Sequence, residues 1–348
     1  MGRTPAERQV EELIPNGDRF VGTAAADDAG RELAEDPTRA HHRTDRLSAR
    51  RRFDDVECTV SHLLRLPHPA LGGRRYGEAL FRGIAARGIS PGPDGVLEIG
   101  GGTGHVAEAV WRGDAGSFTG IRWTSLDLSP ALLGAQRRRL LAIGAPAGSV
   151  PRGPHRAWTG VRADAVALPL GSRAFRGLIL ANEVMADLPV HEGRNAGALQ
   201  LVREIARVLA PGGAAVLAEF GGDFPPGPVD LTAGSGRGEH TEWSIDFRDL
   251  RRAAADAGLG VEELPLHELL GADLSVRCMS YTDLWRLRRF VSCEVVAAPA
   301  EEARRRHPLL SRLLALELPP LGSPRWPDAT APAGFAQLFR ALILRQRG

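Results

Sequence analysis

Four of the five residues from Gly100 to Gly104 are glycine, within a stretch that reads VLEIGGGTGHVAEAV over residues 96–110. A strand-length apolar segment runs into the glycines, and a segment of helical period leaves them. A strand-to-helix turn needs only one such residue, because glycine in a turn carries a cost in chain entropy. The surplus points to backbone that must approach something closely, beside a helix N-terminus whose N–H groups face an electron-rich partner.

The period of the apolar residues continues this theme along the chain. Residues 121–128 (IRWTSLDL) read as a second strand, followed by a helix over 130–143. Strands are expected over 159–163, 177–184 (GLILANEV) and 214–220 (AAVLAEF), with a helix over 198–209 between the last two. A helix over 247–257 and a strand over 261–266 complete the series. Strand alternating with helix at this spacing predicts βαβ units and a parallel sheet. The expected fold is α/β, a doubly wound, mostly parallel sheet of the seven-stranded type with helices on both faces and helical extensions at both ends.

The flanks divide the chain further. Residues 1–44 read as a polar, partly flexible arm, and 45–93 as a helical cap with helices over 45–66 and 76–87. The core is placed at 94–272. Residues 273–348 read as a helical C-terminal extension, with apolar-periodic segments at 281–296, 301–318 and 335–345. The Pro- and Gly-rich run over 221–243 is long for a compact domain and is expected to be a lid or substrate loop.

Composition narrows the chemistry. Hydrophobic residues make up 43% of the chain and charged residues 25%, enough for a sizeable core. The formal net charge is +2, so nothing in it calls for a nucleic acid partner. Every residue counted as Lys or Arg is Arg, which excludes a Schiff-base lysine and a Walker A loop. Cys58, Cys278 and Cys293 stand far apart, so neither a disulfide framework nor a zinc site is expected. An acidic N-terminus and the lack of any membrane-length apolar run lead to the expectation of a soluble, cytoplasmic protein; a homodimer is compatible with this reading.

Two patterns fit the glycines. G-x-G-x-x-A at Gly102, Gly104 and Ala107, with Asp127 downstream, matches a dinucleotide fingerprint and keeps a nicotinamide-dependent oxidoreductase in view. E-x-G-x-G-x-G at Glu98, Gly100, Gly102 and Gly104 also accounts for the acid. Glu98 is poor company for a pyrophosphate but suits the ammonium of a bound amino acid.

Over residues 94–270 the sequence resembles the class I S-adenosylmethionine-dependent methyltransferases. VLEIGGGTG resembles their first motif, SLDLSPALL their second strand, VRADAVALPL the segment after the third, and ARVLAPGGAAVLAEF the helix, turn and fifth strand. The resemblance implies S-adenosyl-L-methionine as cofactor, with Asp127 and Leu128 at the ribose and Asp164 and Ala165 at the adenine. Asn182 joins this set from the end of the fourth strand. No metal is expected.

The fourth strand ends in LANEVMADLPVHEG, which would lie over the pocket, making Glu183, Asp187 and His191 the candidate catalytic groups. Glu183 and Asp187, four residues apart, suit a cationic amine or guanidinium. The stretch is similar to the NExxDxLP signature of methyltransferases that act on protein arginine in respiratory complex assembly, but its aspartate falls one place later, with Ala186 in the acid's position. His240 and Trp243 are candidates for lining the substrate site. The expected acceptor is a nitrogen or oxygen of a small-molecule natural product or a peptide. A protein side chain is one alternative, and a noncatalytic assembly protein that binds the cofactor is another.

Overall fold

The computed structural model describes residues 67–113, 121–144, 157–229, 242–275 and 339–347. Helix α1 (Tyr76–Ala86) precedes strand β1 (Val96–Ile99) and helix α2 (His105–Arg112). Strand β2 (Arg122–Asp127), helix α3 (Pro130–Gly144), β3 (Ala157–Arg162) and β4 (Leu178–Asn182) follow. A 3-10 turn (Met185–Asp187) leads to α4 (Ala196–Val208) and β5 (Ala214–Gly222). Three two-residue strands, β6 (Pro228–Val229), β7 (Glu242–Trp243) and β8 (Ile245–Asp246), precede α5 (Phe247–Asp256), β9 (Leu259–Pro265) and α6 (Leu266–Leu270). The last strand is β10 (Phe339–Gln346).

The main sheet runs β3-β2-β1-β4-β5-β10-β9, with β8 added to the end of β5. β3, β2, β1, β4 and β5 are parallel, whereas β10 is antiparallel to both β5 and β9. Strand order reverses between β1 and β4, and the C-terminal edge of a sheet at such a point is where open α/β folds bind ligands. The expected doubly wound architecture is therefore present, with eight strands.

Alternate residues of the strands feed two cores. Val96, Trp123, Leu178, Leu180, Val216 and Ile343 pack with α1, α2 and α6 on one face. Leu97, Ile99, Ile179, Leu217, Leu342 and Leu344 pack with α4 and α5 on the other. Each such side chain contributes about 1.5–3 kcal/mol when fully buried, so the two faces together fix the register of every strand. Glu98 is the exception in β1, a buried acid on the α1 face.

Most of the predicted elements fall within a few residues of their expected places. Residues 335–345 are the correction: in place of the last C-terminal helix, Phe339–Gln346 forms β10 in the middle of the antiparallel part of the sheet. Ala341, Leu342, Ile343 and Leu344 form an unbroken apolar run that sends alternate residues into both cores. A strand buried on both faces loses its alternation, and a short run of this kind reads equally as helix. This end of the chain thus belongs to the core sheet rather than to a helical extension. The polar arm, the helices expected over 45–66, 281–296 and 301–318, and residues 230–241 of the long loop lie outside the described residues.

Replacing Leu342, fully buried between β5 and β9, by alanine should destabilise the protein by about 2–5 kcal/mol in urea denaturation. A loss well below 1 kcal/mol would show that β10 is dispensable to the core.

Candidate active site

The glycine loop leaves β1 at the reversal point. Gly100, Gly102 and Gly104 all have positive φ, at 65°, 51° and 86°, a region that costs other residues dearly. At Gly101 the constraint is space: a Cβ there would lie 2.6 Å from Oε2 of Glu98. The loop therefore crosses directly above the carboxylate, and no side chain fits between them.

That carboxylate is anchored from β2. Trp123 donates its indole N–H to Glu98 Oε2 at 2.8 Å, and the Ser125 hydroxyl lies 3.4 Å from the same oxygen. Ser125 in turn accepts the indole N–H of Trp158 at 2.9 Å. Burial pushes the Glu98 carboxyl up to about 7 against these hydrogen bonds, with the charge of Asp127 adding to the rise.

Helix α3 braces the loop from outside. Gln136 donates to the carbonyl of Gly102 at 2.9 Å, and Arg139 donates to that of Thr103 at 2.8 Å while pairing with Glu108. The hydroxyl of Thr103 and Oε1 of Gln136 are buried without a hydrogen-bond partner among the described residues. Unfilled polar atoms beside a loop stripped of side chains are what a polar ligand would satisfy.

The other cofactor candidates line the same strand ends. Asp127, half-buried at the end of β2, accepts the Ser129 N–H at 2.9 Å through Oδ1. Leu128 follows it, its carbonyl taking a hydrogen bond from Arg162. Asp164 is fully buried after β3, where its Oδ1 accepts the Val166 N–H at 3.1 Å, and Ala165 is buried beside it. Glu204 and Arg207 of α4 staple this segment by bonds to Leu168 and Leu170. Asn182 is buried at the end of β4.

Beyond Asn182 the acids gather. Glu183 takes the left-handed region at φ 53°, and its N–H reaches the Ala218 carbonyl of β5. Glu219, fully buried on β5, accepts the Ala186 N–H at 3.1 Å and the Phe220 N–H at 2.9 Å, and so holds the 3-10 turn that carries Asp187. Burial, and then the charges of Glu183 and Glu242, raise the Glu219 carboxyl well above its usual range. β7, with Glu242 and Trp243 half-buried, packs against the same turn.

Among the candidate catalytic groups, Glu183 and Asp187 thus lie with the strand-end cluster. His191 does not: it sits exposed on a tight turn, its backbone paired with that of Arg194, because Glu192 and Gly193 reverse the chain there to start α4. His240 lies outside the described residues. Three residues went unread in the sequence. Tyr76 donates its hydroxyl to Asn182 Oδ1 at 2.6 Å, and Glu219 and Glu242 complete the acidic group. Glu219 had a signal, a lone acid in the apolar run AAVLAEF; Tyr76 had none beyond its place at a helix start.

The raised Glu98 carboxyl predicts a pH dependence. Its proton is held in the folded state up to about pH 7 but released near 4.5 when unfolded, so its contribution to stability is full below about 4.5 and lost as pH rises through about 7. Urea denaturation across that window should show a downward slope with rising pH that Glu98→Gln flattens. An identical slope in the variant would assign the proton elsewhere.

Sequence comparison agrees with this geometry. A family model described as a methyltransferase domain matches residues 97–217, from β1 into β5. No curated protein gives a sequence match. Among solved structures the chain is similar to the cyclase SpnF, at 17% identity over 77% of this chain and 80% of that one, with a TM-score of 0.41. It is similar to a TehB-like SAM-dependent methyltransferase from Corynebacterium glutamicum, at 21% identity over 58% and 83%, TM-score 0.36. The glycopeptide N-methyltransferase MtfA gives 20% identity over 54% and 86%, TM-score 0.40. The matched segment, residues 97–217, thus resembles a methyltransferase domain, and it holds the glycine loop and the parallel strands β1, β2, β3, β4 and the start of β5.

Proposed function

We propose that this domain methylates the nitrogen of a cationic amine carried by a small molecule or a peptide. The observation that carries the reading is the convergence of Glu183, Glu219 and Glu242 beyond the ends of β4 and β5, close enough for two of them to raise the third. A cationic guest among these carboxyl groups gains a charge attraction that a neutral guest does not. Asp187, on the turn held by Glu219, and the aromatic Trp243 beside it suit the same guest; a cation over an indole face gains about 0.5–2 kcal/mol.

When bound, S-adenosylmethionine supplies an electrophilic methyl group on a sulfonium centre. The residues that would hold it are the Gly100–Gly104 backbone, Glu98, Thr103 and Gln136, with Asp127 at the ribose hydroxyls and Asp164 at the adenine amine. The orphaned atoms of Thr103 and Gln136 and the bare loop support that fit.

On the acceptor side the protein has two tasks. An ammonium has no lone pair, so a base must take its proton before it can attack; in this reading Glu183 is that base. Alignment is the second, since holding the reacting atoms in line accounts for much of the rate. Glu219, pushed towards its neutral form, fixes the turn without adding a full charge to the cluster.

The test is transfer of a labelled methyl group to a panel of amines and to phenols and alcohols of matched shape. Amines should be methylated and the others not, and Glu183→Gln combined with Asp187→Asn should lower kcat by about 10²–10⁴-fold with S-adenosylhomocysteine binding retained. Transfer to phenols alone, or full activity in the double amide variant, would remove the proposal.

A further inference from the structure

We infer that Tyr76 is a positioning residue that aims the Glu183 carboxylate through the side-chain amide of Asn182; the inference rests on the amine reading above, which makes Glu183 the acceptor-side base. The hydroxyl of Tyr76 lies 2.6 Å from Asn182 Oδ1, and Nδ2 of Asn182 lies 3.1 Å from Glu183 Oε2. Tyr76 is 1% exposed and Asn182 8%, so water has little access to replace either group.

The direction of this chain of hydrogen bonds is set by its end. A carboxylate can only accept, so Asn182 must turn its NH2 towards Glu183. Its carbonyl then faces Tyr76, and the phenol must donate. Burial, followed by the charges of Glu183 and Glu219, raises the Tyr76 hydroxyl well above its usual range, which keeps that donor in place. The amide therefore has one orientation while Glu183 is charged. Protonation of Glu183 would free the amide to turn over and donate to the phenol oxygen instead.

Glu183 needs such a guide. Its φ of 53° takes it out of the strand, so the pleat of β4 no longer sets the direction of its side chain. Its backbone is tied to Ala218, and Asn182 donates to its carboxylate at 3.1 Å. Tyr76 reaches this point from the first residue of α1, 106 positions earlier in the chain, and α1 is the helix packed on α2, which the glycine loop starts. Seating of α1 and aim of the carboxylate are thus one event.

Tyr76→Phe keeps the ring and removes only the hydroxyl. The buried Oδ1 of Asn182 then loses its donor, so the orientation that serves the charged carboxylate becomes less favourable and the charged form of Glu183 with it. The experiment is carbon NMR titration of protein labelled at the glutamate side-chain carboxyl, with the Glu183 signal assigned by Glu183→Gln. In Tyr76→Phe the Glu183 midpoint should rise by about one pH unit relative to the unaltered protein. Asn182→Ala should raise it comparably, and adding Tyr76→Phe to Asn182→Ala should move it no further. An unchanged midpoint in Tyr76→Phe, or an equal shift with and without Asn182, would overturn the inference. The readout needs no acceptor, so it stands apart from failure of the amine reading, which the labelled transfer assay detects. In that assay the acidic limb of the kcat/KM profile should move up with the NMR midpoint while KM for S-adenosylmethionine stays fixed, a split that mere loss of packing would not produce.

Discussion

The carboxylate of Glu98 lies where a side chain on Gly101 would have to go, and the remainder of the site follows from that exclusion. Held from below by Trp123 and Ser125, the acid fixes the height of the loop above β1. Held from the side by Gln136 and Arg139 of α3, the loop turns through three glycines of positive φ into α2. At the reversal between β1 and β4 the loop is thus backbone with Thr103 as its one side chain. A single methyl group at position 101 would require the acid, the loop or both to move.

The other side of the strand ends is organised by charge. Glu183, Glu219 and Glu242 meet beyond β4 and β5, and the fold answers the resulting repulsion in two ways. Glu219 is buried deeply enough to favour its neutral form, and its oxygens are given to the N–H groups of Ala186 and Phe220. Glu183 is half-buried just beyond the end of β4. One side of the strand ends thus takes its shape from missing side chains, and the other its character from clustered carboxyl groups.

The parallel half of the sheet was legible because each strand there carries its own punctuation. The glycines after β1, Asp127 with Pro130 after β2 and the APGG turn before β5 all mark element ends by local chemistry. The strand β10 carried no such mark, since a run buried on both faces has the same composition in either conformation and only the partners β5 and β9 decide between them. The residues expected at the cofactor lie beside those same marks, at the ends of β1, β2, β3 and β4. The Tyr76–Asn182 hydrogen bond was not legible, because no spacing announces a contact between residues so far apart, and the exposure of His191 was not, because the turn at Glu192 and Gly193 that carries it to the surface is set by backbone conformation.

We propose that the strand ends at the reversal between β1 and β4 hold S-adenosylmethionine, with Asp127 at its ribose. Calorimetric titration of the unaltered protein and of Asp127→Ala with S-adenosylhomocysteine, alongside NADH, tests it most directly. The expected result is binding of S-adenosylhomocysteine, no binding of NADH, and about a 10- to 100-fold loss of affinity in the variant, the scale of a hydrogen bond to a charged group. Binding of NADH in place of S-adenosylhomocysteine, or equal affinity in Asp127→Ala, would contradict it.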